Sequence, residues 1–128
     1  MSPIVARYWD PLELRLVGPQ SWQLLHEFRF DSAVCGARLI VPAGFITDLA
    51  SVPRLPFAFW AVGATAQAAA ILHDWGYHFH AFPRRQVDAL FYEAMTTDGT
   101  DVGIPPEPTW RAFLMWTGVR IGGWMPWG

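Results

Sequence analysis

An imidazole and two carboxylates stand close together in the middle of this chain: His73 and Asp74 in the run His73-Asp74-Trp75-Gly76-Tyr77, and Asp88 fifteen positions after His73. An imidazole that can take a proton, next to a carboxylate that can orient its ring, is the pair a general base requires. His73 and Tyr77 are four apart, so on a helix they share one face, one turn above the other. Adjacent helical residues diverge by about 100°, so Asp74 points away from His73 and is open to a different partner. Asp48, in the preceding loop, is one such partner. Two carboxylates repel unless they share a cation or a proton, so an Asp48–Asp74 pair favours a hard divalent ion, and the oxygen ligands of calcium suit it. The alternative is that Asp48 holds local backbone amides while Asp74 pairs with Arg54, Arg84 or Arg85.

Two helices must bring His73 to Asp88. The stretch from Ala64 to about His80 holds the run Ala66-Gln67-Ala68-Ala69-Ala70 ahead of Ile71 and Leu72, a composition of high helix propensity. Pro83 stands where a first-turn proline is tolerated and opens a second helix towards Met95. At about 1.5 Å per residue, His73 and Asp88 lie roughly 10 and 8 Å from the turn, nearly level across an antiparallel pair. A carboxylate facing the His73 ring is the expected result. The competing reading is a buried histidine satisfied by one carboxylate, with no chemistry attached; three polar groups inside an apolar helix pair argue against it, since they are costly unless paired. His26 reads as structural, and His78 and His80 as exposed or end-capping residues near a helix end.

The remaining elements are coarser. Residues 1–21, with Pro3, Pro11 and Pro19, read as irregular around a short strand-like Leu12–Leu16. Trp22 to Phe30 alternates like a strand, Asp31-Ser32 like a turn, and Ala37 to Val41 like a returning strand that ends at Pro42. Thr97 to Pro108 is a loop, and Thr109 to about Ile121 a third helix, with Trp110, Phe113, Met115 or Trp116, and Val119 spaced to pack on the core; the alternative is that Trp110, Phe113, Trp116, Trp124 and Trp127 form an interfacial surface for lipid. A Trp/Gly tail at 122–128 reads as a docking element. The expectation is one domain over residues 1–128 of class α+β, an N-terminal β-hairpin or small antiparallel sheet packed on a helical hairpin and a C-terminal helix.

Composition sets limits. An apolar fraction of 52% over 128 residues argues against disorder and for a single core. Eight tryptophans exceed what such a core needs, so some are expected at a partner, lipid or assembly surface. A net charge of −2 provides no broad basic field, so no nucleic-acid partner is expected. The nine basic residues are all arginine. Cys35 alone can make neither an internal disulfide nor a cysteine-based zinc site. The N-terminus shows no signal peptide, and no stretch approaches the length of a transmembrane segment.

The run His73-Asp74-x-x-Tyr77, followed by Asp88 and Phe91, resembles the paired active-site helices of secreted phospholipases A₂, above all the short bacterial, fungal and parvoviral forms. That resemblance implies His73 as the base that activates water, Asp88 as the group orienting its ring, Asp74 as a calcium ligand and Tyr77 as a supporting donor. The glycine-rich calcium loop of those enzymes is not matched: Ala43-Gly44-Phe45 holds one glycine, followed by Thr47 and Asp48. A longer resemblance, from about Trp22 to Trp124, rests on Val41-Pro42-Ala43-Gly44-Phe45-Ile46-Thr47-Asp48-Leu49-Ala50-Ser51-Val52-Pro53-Arg54, the His73-Asp74 helix, and Arg85 with Asp88 and Phe91. It is to an uncharacterised family of small proteins of tailed phages and prophages. Together they imply a phage-encoded phospholipase A₂-like hydrolase of host envelope lipid esters, in the virion or the infected cell, with other phage structural proteins and a lipid surface as partners. A non-enzymatic tail or baseplate subunit is the alternative. A metal-dependent peptidoglycan hydrolase using Asp48, His73 and Asp88 is a third, and one imidazole is thin for zinc.

Overall fold

The computed structural model describes residues 4–19, 21–47, 63–79 and 82–122. Asp48, Arg54, the motif beyond Thr47, His80 and the tail from residue 123 lie outside the described residues. The strands are β1 (Arg7–Tyr8), β2 (Leu14–Gly18), β3 (Ser21–Leu24), β4 (Phe28–Ser32), β5 (Ala37–Val41) and β6 (Ile46–Thr47). They form two antiparallel three-stranded sheets, ordered β1-β4-β5 and β2-β3-β6. Three helices follow: α1 (Gly63–Phe79), α2 (Arg84–Thr96) and α3 (Thr109–Gly122). The fold is α+β, as the sequence implies.

The N-terminal half carries more strand than its prolines suggest. Residues 1–21 supply β1, β2 and the start of β3. What orders β1 is tertiary: the buried Tyr8 ring lies 4.7 Å from Phe30 and 5.9 Å from Phe28, and its hydroxyl donates to the Ala94 carbonyl at 2.5 Å. Burial pushes that hydroxyl far above its ordinary value, so it remains a donor.

Trp22 to Phe30 is two strands instead of one. The Leu24 amide donates to Phe45 and the Leu25 amide to Glu13, after which the chain leaves the second sheet and re-enters pairing in the first as β4. The inward phase survives the break, since Leu24, Phe28 and Phe30 are all buried.

Nor do Asp31-Ser32 form the turn. Strand β4 runs through Ser32, and the turn comes at residues 33–36, closed by Gly36 at φ 65°, a backbone region that favours glycine. Glu93 of α2 holds this turn, accepting from the Ser32 hydroxyl at 2.6 Å and from the amides of Ala33 and Val34 at 2.9 and 3.1 Å.

The helices lie within a residue or two of their expected bounds. Pro83, at φ −57° and ψ 148°, stands just outside α2, and its carbonyl accepts from Gln86 and Val87 at 2.9 and 3.0 Å. Its fixed φ fits the position before the first turn, where the chain is still extended.

Helix α3 differs in which face it buries. Ala112 and Met115 are sealed, while Trp110 and Phe113 are 63% and 55% exposed. A small residue and a flexible one let the helix lie close to the core, and the bulky rings at positions 110 and 113 turn outward. No helix among the described residues is long and apolar enough to cross a membrane.

The spacing of α1 and α2 depends on Gly76. A Cβ there would come within 2.9 Å of Val87 Cγ1, a side chain with little rotameric freedom in a helix. Gly76→Ala should therefore cost about 1–3 kcal/mol through overpacking, outweighing the helix propensity it gains. In a Val87→Ala background the same change should become neutral or stabilising, because the obstructing methyls are gone. Urea denaturation of the four proteins in this cycle reads the sign change, and an unchanged sign would refute close packing as the reason for the glycine.

Candidate active site

The site is built from one stripe on each helix. His73 and Tyr77 share a face of α1, and Arg84, Asp88 and Phe91, spaced by four and three, share the opposing face of α2. His73 Nε2 lies 2.7 Å from Asp88 Oδ1, and the Tyr77 hydroxyl donates to the same oxygen at 3.0 Å. The His73 ring packs against Tyr77 and Phe91, with centroids at 4.2 and 5.3 Å. His73 and Asp88 are 1% and 0% exposed. The meeting expected from the level register therefore occurs, in the buried layer between the two helices.

The other oxygen of Asp88 faces arginine. Arg120 of α3 donates through Nη1 to Oδ2 at 2.9 Å, and Arg84 Nε lies 3.5 Å from that oxygen. Arg84 also donates to the Tyr77 hydroxyl at 3.3 Å and through Nη2 to the Arg120 carbonyl at 2.6 Å. All three helices are thus tied to one carboxylate. A buried carboxylate is tolerated when paired and saturated with donors, and this one is.

These contacts fix the roles of the two ring nitrogens. With two guanidiniums on Oδ2, Asp88 is assigned as the acceptor and His73 Nε2 as the donor. The lone pair then sits on Nδ1, which is buried and has no hydrogen-bond partner among the described residues. Burial pushes the Tyr77 hydroxyl up to about 12, against the pull of Arg84 and with help from the Asp88 charge. Tyr77 is therefore a neutral donor over the working pH range. The arrangement can accept a proton at Nδ1 and disperse the resulting charge into Asp88.

Asp74 is half-buried on the adjacent flank of α1. Its expected partner, Asp48, lies outside the described residues. Among the described residues, no group of three or more His, Cys, Asp and Glu side chains could hold a metal ion.

Two participants were not singled out from the sequence as partners of Asp88. Arg84 is readable in principle, because it precedes Asp88 by four on one helix face. Arg120 is 32 residues away across a loop, and only the packing of α3 on α2 brings it in. His78 and His26 take no part in the cluster: His78 is exposed, and His26 pairs with Glu13 at 3.1 Å.

A family model described as "Protein of unknown function (DUF1353)" matches residues 22–119. No curated protein and no solved structure matches the chain.

Proposed function

For a chain that belongs to the DUF1353 family, we propose a hydrolase in which His73 is the general base and Asp88 orients it. The observation that carries this reading is the buried Nδ1 of His73, without a hydrogen-bond partner among the described residues while Nε2 is held at 2.7 Å by Asp88. In the proposed reaction Nδ1 takes a proton from water, the water oxygen attacks an ester carbonyl, and the proton passes from the ring to the departing alkoxide. The products are one acid and one alcohol. Asp88 stabilises the imidazolium while Tyr77 and Arg120 keep its carboxylate in place. Near-complete burial shields the step from bulk water, so substrate entry requires local opening.

The phospholipase A₂ resemblance supports an ester of host envelope lipid as substrate, and the tailed-phage resemblance a phage setting. Calcium, held by Asp74 with Asp48, is part of the proposal. Asp74 flanks the base, where a carboxylate can serve a cation, and when bound the ion supplies positive charge to a developing oxyanion. Calcium is accordingly expected to raise the melting temperature of the unmodified protein, and Asp74→Asn to abolish that rise. Calorimetry without any calcium shift would remove the ion from the proposal.

The direct test is fatty-acid release from mixed phospholipid vesicles with calcium, and with chelator in parallel. Release that depends on the protein supports the hydrolase; none under either condition overturns it. A second reading, a non-enzymatic virion component, is favoured by one feature of the surface. A groove of about 380 Å³ runs between Val34, Ala89, Tyr92, Glu93, Phe113 and Trp116, with Phe113 largely exposed on its wall. Under that reading the polar cluster only rigidifies the helices.

A further inference from the structure

The ladder between β2 and β3 leaves one row of backbone groups facing outward. Leu14 and Leu16 stand opposite Leu24 and Trp22, while the Leu25 amide donates to the Glu13 carbonyl. Leu24 turns its own amide and carbonyl the other way, to Phe45 and Gly44. Leu14 and Leu24 are therefore a pair without mutual hydrogen bonds. By the two-residue alternation of a strand, the N–H and C=O of Leu14 and Leu16 point to the outer edge of the sheet. No backbone group among the described residues meets them there. Strand β2 is thus an open edge, and an open edge is a template for another strand.

The run Leu12-Glu13-Leu14-Arg15-Leu16 is symmetric about Leu14 in its leucines and of opposite sign in its charges. Leu12 and Leu14 pack on the core, and Glu13 and Arg15 are exposed on the other face. Glu13 meets His26 at 3.1 Å yet keeps half its side chain in solvent, and Arg15 has no ion pair among the described residues. An antiparallel copy of this strand, with its two-fold axis at Leu14, would set Leu14 against Leu14 and Leu12 against Leu16. Those residues carry the outward backbone groups, so each pair would exchange two N–H···O bonds. Glu13 would then stand directly opposite Arg15 of the second copy, twice over, in the closer kind of antiparallel pair. Moving the axis by one residue would place Arg15 on Arg15 or Glu13 on Glu13, so charge selects the register. Leu16, 54% exposed in the single chain, would be covered by Leu12 of the second copy. Pro11 before the run, and the irregularity between Leu16 and Gly18 after it, limit the pairing to five residues.

We infer that the outer edge of β2 binds a second copy of this chain, the two strands running antiparallel about a two-fold axis at Leu14 and matched by Glu13–Arg15 pairs. The two three-stranded sheets become one, of order β6-β3-β2-β2-β3-β6. The interface is isologous and uses each β2 edge once, so this contact closes at two copies. It does not depend on the chemistry assigned to His73.

The test is sedimentation velocity on the unmodified chain from about 10 µM to 1 mM, the range in which a contact this small dissociates. A monomer–dimer equilibrium is expected. Arg15→Glu and Glu13→Arg each put like charges opposite one another at both pairs, and each should weaken the dimer about tenfold. Mixed in equal amounts, the two variants regain opposite charges in the same register and should associate at least as tightly as the unmodified chain. Leu16→Pro removes an outward N–H and no hydrogen bond to β3, so it should abolish the dimer. Circular dichroism checks that each variant folds, and amide exchange of the unmodified chain decides alone should one fail. There the Leu14 and Leu16 amides should become protected as concentration rises, while the Arg15 amide, which faces β3, is protected throughout. A monomer at every concentration, a dimer that neither charge variant weakens, a mixture no tighter than its components, or Leu14 and Leu16 amides that exchange equally fast at both ends of the range would overturn the inference.

Discussion

His73→Gln should leave a folded chain whose ester hydrolysis is lower by about 10²- to 10⁴-fold, the usual contribution of a general base. Glutamine keeps an amide N–H able to reach Asp88 and has enough bulk to pack beside Tyr77 and Phe91. It removes the one property at issue, a ring lone pair able to take a proton. Fatty-acid release from vesicles, measured beside the near-ultraviolet circular dichroism of both proteins, separates loss of chemistry from loss of fold. Equal release from the two proteins would rule out His73 as the base. A role confined to structure gives the reverse pattern, no hydrolysis in either protein and a variant less stable by about 1–3 kcal/mol from a disturbed buried hydrogen-bond network.

The second large effect concerns stability. Asp88→Ala deprives Arg120, Arg84, Tyr77 and His73 of a common acceptor, and removal of one partner from a buried charge pair costs about 3–5 kcal/mol. The guanidiniums are partly exposed and can recover some hydration, which places the expectation in the lower half of that range. Asp88→Asn, which keeps volume and an acceptor oxygen, should cost less, and Arg120→Ala less again because its side chain is a third exposed. Guanidinium denaturation reads the order through the midpoint, provided the slope is unchanged. An Asp88→Ala protein within about 1 kcal/mol of the parent would mean that the three helices do not depend on this carboxylate to stay together.

What could be read from the sequence depended on how local each interaction is. The α1–α2 pairing is decided by propensity, a proline and the count of residues from a short turn, and those are enough to set His73 level with Asp88. Tyr77 follows from the four-residue period. The N-terminal strands escape the same logic. Arg7–Tyr8 is too short to alternate, and what fixes it is a tyrosine whose ring and hydroxyl find partners on β4 and α2. The break after Leu24 is invisible because the inward phase continues through it while the hydrogen-bond partners change. In α3 the period was readable but the buried stripe was not, since apolar residues occupy both faces and only the geometry of docking selects Ala112 and Met115. Arg120 is the costliest omission: nothing within its own helix marks it as the partner of a carboxylate two elements earlier.

The grip of Glu93 on the turn between β4 and β5 also bears on the order in which the chain folds. A β-hairpin normally carries its own turn, so it can close early and offer a template to later elements. Here the Ser32 hydroxyl and two turn amides obtain their acceptor from a residue 59 to 61 positions away. The hairpin therefore gains its last hydrogen bonds only when α2 arrives, and the chain must close a long loop before that contact returns any stability. Folding is then expected to begin in the helical hairpin, where contacts are local. The turn at residues 33–36 would order late, with φ-values near zero for substitutions at Ser32 and Glu93 and higher ones along Ala68–Leu72 and Leu90–Ala94.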